Sequence, residues 1–209
     1  MSPICATLSK ADAVIPLYFH PLWAQIFWFS YVTWALFEMW VWSRDRRKAE
    51  GEKQDRGSLL FISCCMGLGF SMLFSAPWLA PFARMQLPAA PIFYLAIILI
   101  WSGLLFRFWA IRTLGKFFRY TVFIHDEHRL VTAGPYRILR HPSYTGALMT
   151  ITGIALAMYN WVSFGAAIAF ALLAYGRRMQ VEEAALEIKF GDAFRQNRAR
   201  TWALIPCVW

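Results

Sequence analysis

Charge is scarce in this sequence. Only 16% of its 209 residues are Asp, Glu, Lys or Arg while 59% are apolar, against about 25% charged and 45–50% apolar in soluble domains. One buried core cannot absorb that excess, so a water-soluble globule is excluded, and so is intrinsic disorder, which requires low hydrophobicity. Cysteine is sparse and scattered: Cys5 and Cys207 lie near opposite termini and Cys64-Cys65 are adjacent, with no CxxC or Cys/His spacing, so no metal site is expected. Met1–Phe19 lacks a basic start, an apolar run and a small-residue cleavage site, so the first long apolar segment is expected to be retained. No repeat, low-complexity tract, helix-turn-helix, finger or stacking sheet is present, which argues against a nucleic-acid partner. Acidic residues are the scarcer sign, 12 against 21 basic ones. The placement of the basic surplus therefore carries the topology.

What is abundant is hydrophobic length. A transmembrane helix needs about 20 mostly apolar residues, and Pro21–Trp42, Ser58–Ala80 and Pro91–Ile111 meet that standard. Their internal charges are Glu38 and Arg107. His141–Tyr159 and Trp161–Gly176 are shorter and are separated only by the turn-like Tyr159-Asn160-Trp161, which predicts a tight helical hairpin. Every cation except Lys10 and Arg84 falls on one predicted side or at its boundary: Arg44–Arg56, Arg107 near the end of the third span, Arg112–Arg140 and the residues from Arg177 onward. Such loops stay cytoplasmic. Five crossings then put the N-terminus outside and the C-terminus inside, and Trp23, Trp40, Trp42, Trp78 and Trp161 sit near span ends, the interfacial depth that tryptophan prefers. The fold expected is all-α and integral to the membrane, with residues 1–112 as an N-terminal three-helix region. Residues 113–209 form the second unit, a hairpin followed by a cytoplasmic helix.

Polar motifs concentrate in two places. The connection Arg112–Arg140 is nearly thirty residues long, beyond the usual length of a mere connector, and it ends in Gly134-Pro-Tyr136 and Arg140-His-Pro-Ser-Tyr144. Gly134-Pro135 imposes a turn, and Pro142 suits the first turn of a helix, where a missing N–H costs nothing. His141, Ser143 and Tyr144 would surround a ligand carboxylate or phosphate at that helix entrance. Equally, His141 and Ser143 would cap the helix while Tyr136 and Tyr144 anchor it at the interface. The second place follows the fifth span, where Arg177–Asp192 has helical composition and Gly191 is a stop signal. Arg178 and Glu182 are four apart and share a face, so one reading is an exposed ion pair. Adjacent Glu182 and Glu183 cannot share a face, so the other reading turns one of them toward a ligand.

These pieces resemble the isoprenylcysteine carboxyl methyltransferase family, within the wider set that includes phospholipid methyltransferases. The match lies in His128-Arg-Leu-Val131 with Gly134-Pro-Tyr136, in Arg140-His-Pro-Ser-Tyr144 with Gly146, and in Arg178 with Glu182-Glu183 leading into Phe190-Gly-Asp-Ala-Phe194 and Thr201-Trp-Ala-Leu-Ile-Pro206. It covers roughly Leu114–Pro206; the first three spans agree with the family only in being helical and hydrophobic. The resemblance implies a membrane methyltransferase that uses S-adenosylmethionine without a Rossmann domain, and no GxGxxG after a strand is present. It implies a cytoplasmic cofactor pocket built from the loop before helix four and the extension of helix five. On this resemblance His128, Arg129, Leu130, Val131, Tyr136, His141, Pro142, Ser143 and Tyr144 enclose the cofactor. Glu182 contacts it through the methionine ammonium, and Arg178 binds the methyl acceptor. Asn197 stands where relatives often have tyrosine, and the segment before His128 is shorter than in eukaryotic members.

The chemistry ranks the acceptors. A carboxylate needs no general base at neutral pH but needs a cation for positioning, which a guanidinium fork supplies. An ammonium must lose a proton, and Arg178 would be a poor neighbour for it. Carboxyl methylation of an isoprenylcysteine-like or other lipidic acceptor is therefore the leading expectation, with phospholipid N-methylation as the alternative. A reductase using a reduced nicotinamide on a related scaffold ranks below both. A transporter or scaffold ranks lower still, because paired repeats are absent and the polar motifs cluster on one side.

Overall fold

The computed structural model describes residues 21–46, 57–118 and 130–206. Among them the regular structure is helical: α1 (Pro21–Arg46), α2 (Ser58–Leu79), α3 (Ala89–Leu114), α4 (Pro142–Ala157), α5 (Trp161–Phe190) and α6 (Asp192–Arg200), with three short 3-10 turns. The five predicted segments coincide with α1 to α5. Helix α3 runs three residues beyond its predicted end, and α5 continues to Phe190, where Gly191 takes φ 51° and its N–H bonds Glu187 O at 2.9 Å. Such a left-handed residue ends a helix without a Cβ penalty. Between α4 and α5 the predicted turn is built by Tyr159 (φ 54°) and by Asn160, whose side chain caps α5 by accepting from the N–H groups of Val162 and Ser163.

Helix α3 lies along α4 and α2 along α5, with α1 against α3. Small residues set the closeness of the first pair. A Cβ on Gly146 would stand 2.7 Å from both the Gly103 carbonyl oxygen and the Arg107 nitrogen, and one on Gly153 would stand 2.5 Å from the Ala96 carbonyl. Helices surrounded by lipid associate by such backbone contact, since apolar burial supplies little drive there. Gly146→Ala is expected to force α3 and α4 apart and cost about 1–3 kcal/mol, read as a lowered thermal midpoint in detergent.

One end of the bundle is tied together. Asn160 Nδ2 donates to Ala80 O at 2.9 Å, Met85 N to Tyr159 O at 3.0 Å, the Tyr159 hydroxyl to Leu87 O, and Ser163 Oγ to Leu73 O at 2.9 Å. The α2–α3 connection and the hairpin turn thus satisfy one another's polar groups. Helices α2 and α3 are long and apolar enough to cross a membrane. Outward faces carry bare apolar side chains, among them Leu60, Leu68, Leu95, Ile98, Leu105 and Leu173. Lipid tolerates such a surface and water does not.

Candidate active site

The untied end opens into a cavity of about 390 Å³, within the range of small-molecule sites. Its wall is shared by the C-terminal halves of α1, α3 and α5, the N-terminal halves of α2 and α4, and α6. The first turn of α4 is held in place by the chain that follows α6. Arg140 N donates to Trp202 O at 2.7 Å, His141 N to Ala203 O at 3.1 Å and Trp202 N to Ile138 O at 2.9 Å, a short parallel bridge. Thr145 Oγ1 adds a bond to Leu204 O at 2.8 Å. Thr201–Leu204 therefore acts as a strap beneath the His-Pro-Ser-Tyr turn.

His141 stands at the N-cap position of α4, yet its side chain makes no capping bond. Its Nε2 lies 3.1 Å from Glu183 Oε1 and its Nδ1 lies 3.9 Å from Glu182 Oε2. A carboxylate only accepts, so Nε2 carries the proton in the shorter contact. Ser143 likewise is no cap: its hydroxyl and carbonyl oxygens receive Arg107 Nη1 at 3.2 and 2.9 Å. The capping alternative fails for both residues. Tyr144 donates to Glu182 Oε2 at 3.1 Å and stacks on Tyr175 with ring centres 5.1 Å apart. Tyr136, in the Gly134–Arg137 turn, is buried on the wall rather than anchored at a surface. Burial raises the pKa of its phenol, the Glu182 charge raises it further, and Arg107 offsets part of the rise. It therefore stays a neutral hydroxyl.

The two glutamates diverge as their adjacency requires. Glu182 faces the cavity, while Glu183 lies outside it against Arg140 Nε at 2.8 Å, His141 and, at 3.7 Å, Arg198. Arg140 also donates to the carbonyls of Arg198 and Thr201. Burial alone would raise the Glu183 carboxyl, but the hydrogen bonds and charges of His141 and Arg140 outweigh it and hold the group at about 2, below its ordinary 4.5. A depressed native pKa stabilises the fold above the unfolded value and ceases to do so as the group protonates. Folding stability from this cluster is expected to be complete above about pH 4.5 and to fall as the pH approaches about 2. The same decline should be absent in Glu183→Gln, and urea titrations across that interval check it.

Arg178 is 3% exposed, which removes the exposed-ion-pair reading; its Nη1 meets Ser58 Oγ of α2 at 2.5 Å and the residue lines the cavity. Leu130 and Val131 also line the wall, whereas Pro142 is buried behind it at the first position of α4. His128 and Arg129 lie outside the described residues.

Sequence reasoning passed over Glu38 and Arg107. Arg107, 6% exposed, forms a two-point ion pair with Glu38 of α1, Nε to Oε1 at 2.9 Å and Nη2 to Oε2 at 3.1 Å. Both residues line the cavity. The signal was present, since an ionisable residue inside an apolar span is a functional candidate by default. Phe194 and Asn197 of α6 complete the wall. The chemistry of the donor set fits S-adenosylmethionine: a carboxylate for its ammonium, aromatic and apolar surface for its adenine, and polar groups at a helix entrance for its carboxylate. Among the described residues no cluster of three metal ligands occurs.

The Phospholipid methyltransferase family profile matches residues 91–193. A probable protein-S-isoprenylcysteine O-methyltransferase of Oryza sativa subsp. indica is 29% identical over 120 residues, 55% of this chain and 61% of the relative. Protein-S-isoprenylcysteine O-methyltransferase A of Arabidopsis thaliana is 39% identical over 117 residues, 54% of this chain and 58% of the relative. The matched stretch thus spans about three fifths of these relatives' length. The Dictyostelium discoideum protein-S-isoprenylcysteine O-methyltransferase is 26% identical over 81% of this chain and 73% of its own length. Among solved structures, the eukaryotic intramembrane Ras methyltransferase ICMT shares the fold with a TM-score of 0.55 at 24% identity, over 70% of this chain and 52% of that one. Motif order, family profile, relatives and fold point one way: this helical chain is similar to the phospholipid methyltransferase family over residues 91–193 and to the isoprenylcysteine O-methyltransferases over about half of its length.

Proposed function

We propose that the protein is a membrane methyltransferase that uses S-adenosylmethionine to methylate the carboxylate of an isoprenylcysteine-like or other lipidic acceptor. The observation that carries this reading is Arg178, a buried cation in the cavity wall with its guanidinium hydrogen-bonded to Ser58. A guanidinium in that position holds a carboxylate oxygen in a fixed direction. Glu182, itself oriented by Tyr144, takes the cofactor ammonium. Leu130, Val131, Tyr136, His141, Ser143 and Tyr144 shape the rest of the cofactor pocket. His128 and Arg129 belong to the same pocket by motif, and Pro142 sets the entrance of α4. S-adenosylmethionine, when bound, supplies a methyl group on a good leaving group. The chain's own part is alignment and exclusion of water.

In this reading the chain crosses the membrane five times, with the N-terminus outside and the basic loops, active site and C-terminus in the cytoplasm. A polar cofactor then arrives from the cytoplasm and an apolar tail from the bilayer. Residues 113–209 carry the motifs that resemble the family, and residues 1–112 contribute walls through Glu38 and Arg107. Titration calorimetry with S-adenosylmethionine and with NADPH tests the cofactor. Micromolar binding of the first alone is expected, and binding of NADPH alone would replace this reading by a reductase. Offering labelled cofactor with a prenylcysteine analogue and with phosphatidylethanolamine tests the acceptor, and label in the phospholipid alone would reverse it to amine methylation.

A further inference from the structure

We infer that an aromatic plug contributed by α1 and α2 limits the acceptor's tail to about three isoprene units; the inference rests on the proposed function, in which Arg178 anchors the acceptor carboxylate. Away from Arg178 the cavity becomes apolar, walled by Ile62 and Met66 of α2 and by Ala147 and Ile151 of α4. Trp34 and Phe70, the lining residues of α1 and α2 farthest along those helices from Glu38 and Ser58, stack there with ring centres 5.4 Å apart and planes 22° from parallel. Behind them Tyr31 and Phe74 meet edge to face at 5.6 Å, Tyr31 lies 5.5 Å from Trp34, and Phe74 lies 6.5 Å from Phe70. Four rings support one another there, so the floor does not yield to a chain pushing on it. Beside Phe70 a void lined by Gly69 and Phe170 holds about 10 Å³, less than the room a further branched unit needs.

The depth follows from helix geometry. Ser58, which contacts Arg178, marks the level of the acceptor's charged end, and Phe70 lies twelve residues along the same helix, a rise of about 18 Å. Part of that length is taken by the cysteine body of the acceptor. An isoprene unit adds four chain bonds, a reach on the order of 5 Å at ordinary bond lengths. A three-unit farnesyl tail fills the space, and a four-unit tail meets the rings.

N-acetylcysteines carrying two-, three- and four-unit tails, assayed with labelled S-adenosylmethionine on the full-length enzyme in nanodiscs, test this. Wild type should favour the three-unit acceptor over the four-unit one by about tenfold or more in kcat/KM, the size of discrimination a filled apolar pocket gives. Phe70→Ala should bring the four-unit acceptor to parity or better, and Trp34→Ala should do the same by opening the other half of the floor. Phe70→Trp should move the optimum to two units, a change that mere loosening of the fold does not produce. Retained cofactor affinity certifies each variant as folded. A length profile that is flat, or that is unchanged in all three variants, overturns the plug while leaving the methyltransferase reading intact. Absence of transfer to any tail length in folded wild type overturns both.

Discussion

Arg178→Ala is expected to lower methyl transfer by at least about 10²-fold, the cost of losing one preorganised donor to a charged oxygen, while leaving cofactor affinity nearly unchanged. Arg178 faces the cavity from α5 with Ser58 as one hydrogen-bond partner and Tyr144 beside it, while the cofactor ammonium is assigned to Glu182 and the rest of the cofactor to the first turn of α4. Arg178→Lys should restore little, because a point ammonium replaces a planar fork at a site where two acceptor oxygens need fixed directions. The informative combination is single-turnover rate with calorimetric affinity on the same preparation. Equal loss of both would make Arg178 part of the cofactor site, and unchanged turnover would remove it from the acceptor site.

Glu38→Ala should be the most destabilising single change at the cavity, by about 3 kcal/mol or more, because removing one partner of a buried pair leaves the other charged and uncompensated. Arg107 would remain 6% exposed with its two-point partner gone. Its bonds to Ser143 transmit the disturbance to the turn that carries His141 and Tyr144. Replacing both members by leucine should recover much of the stability, since an apolar pair of similar volume incurs no charge burial. Activity should not recover, because the polar wall is then lost. Thermal midpoints of the two single variants and the double variant close the cycle. Additive losses would mean that the pair is not coupled across α1 and α3.

The comparison of sequence with structure separates local signals from long-range ones. Hydrophobic length located α1 to α5, and residues with one dominant backbone preference located the ends: Pro142 opens α4, Asn160 caps α5 and Gly191 stops it. The roles of His141 and Ser143 could not be separated by sequence, because capping and ligand contact ask for the same residue types at the same position. What removes capping is the partner each residue takes instead, Glu183, 42 residues away from His141, and Arg107, 36 away from Ser143. Arg178 was legible as a motif residue, yet its buried setting depends on Ser58, 120 residues distant. The cavity's apolar half was invisible for the same reason. Trp34 and Phe70 look like any lipid-facing aromatics until α1 and α2 bring them face to face.

The most direct test of the central claim is the chemical lability of the transferred methyl group. Purified protein in nanodiscs is incubated with methyl-labelled S-adenosylmethionine and a farnesylcysteine analogue, the acceptor is extracted, and base is added. A carboxyl methyl ester releases its label as volatile methanol, so the account predicts that the label leaves the acceptor completely, and that Arg178→Ala yields little label to release. Label that stays on the extracted lipid after base treatment, or no transfer by the folded, cofactor-binding protein, would contradict it.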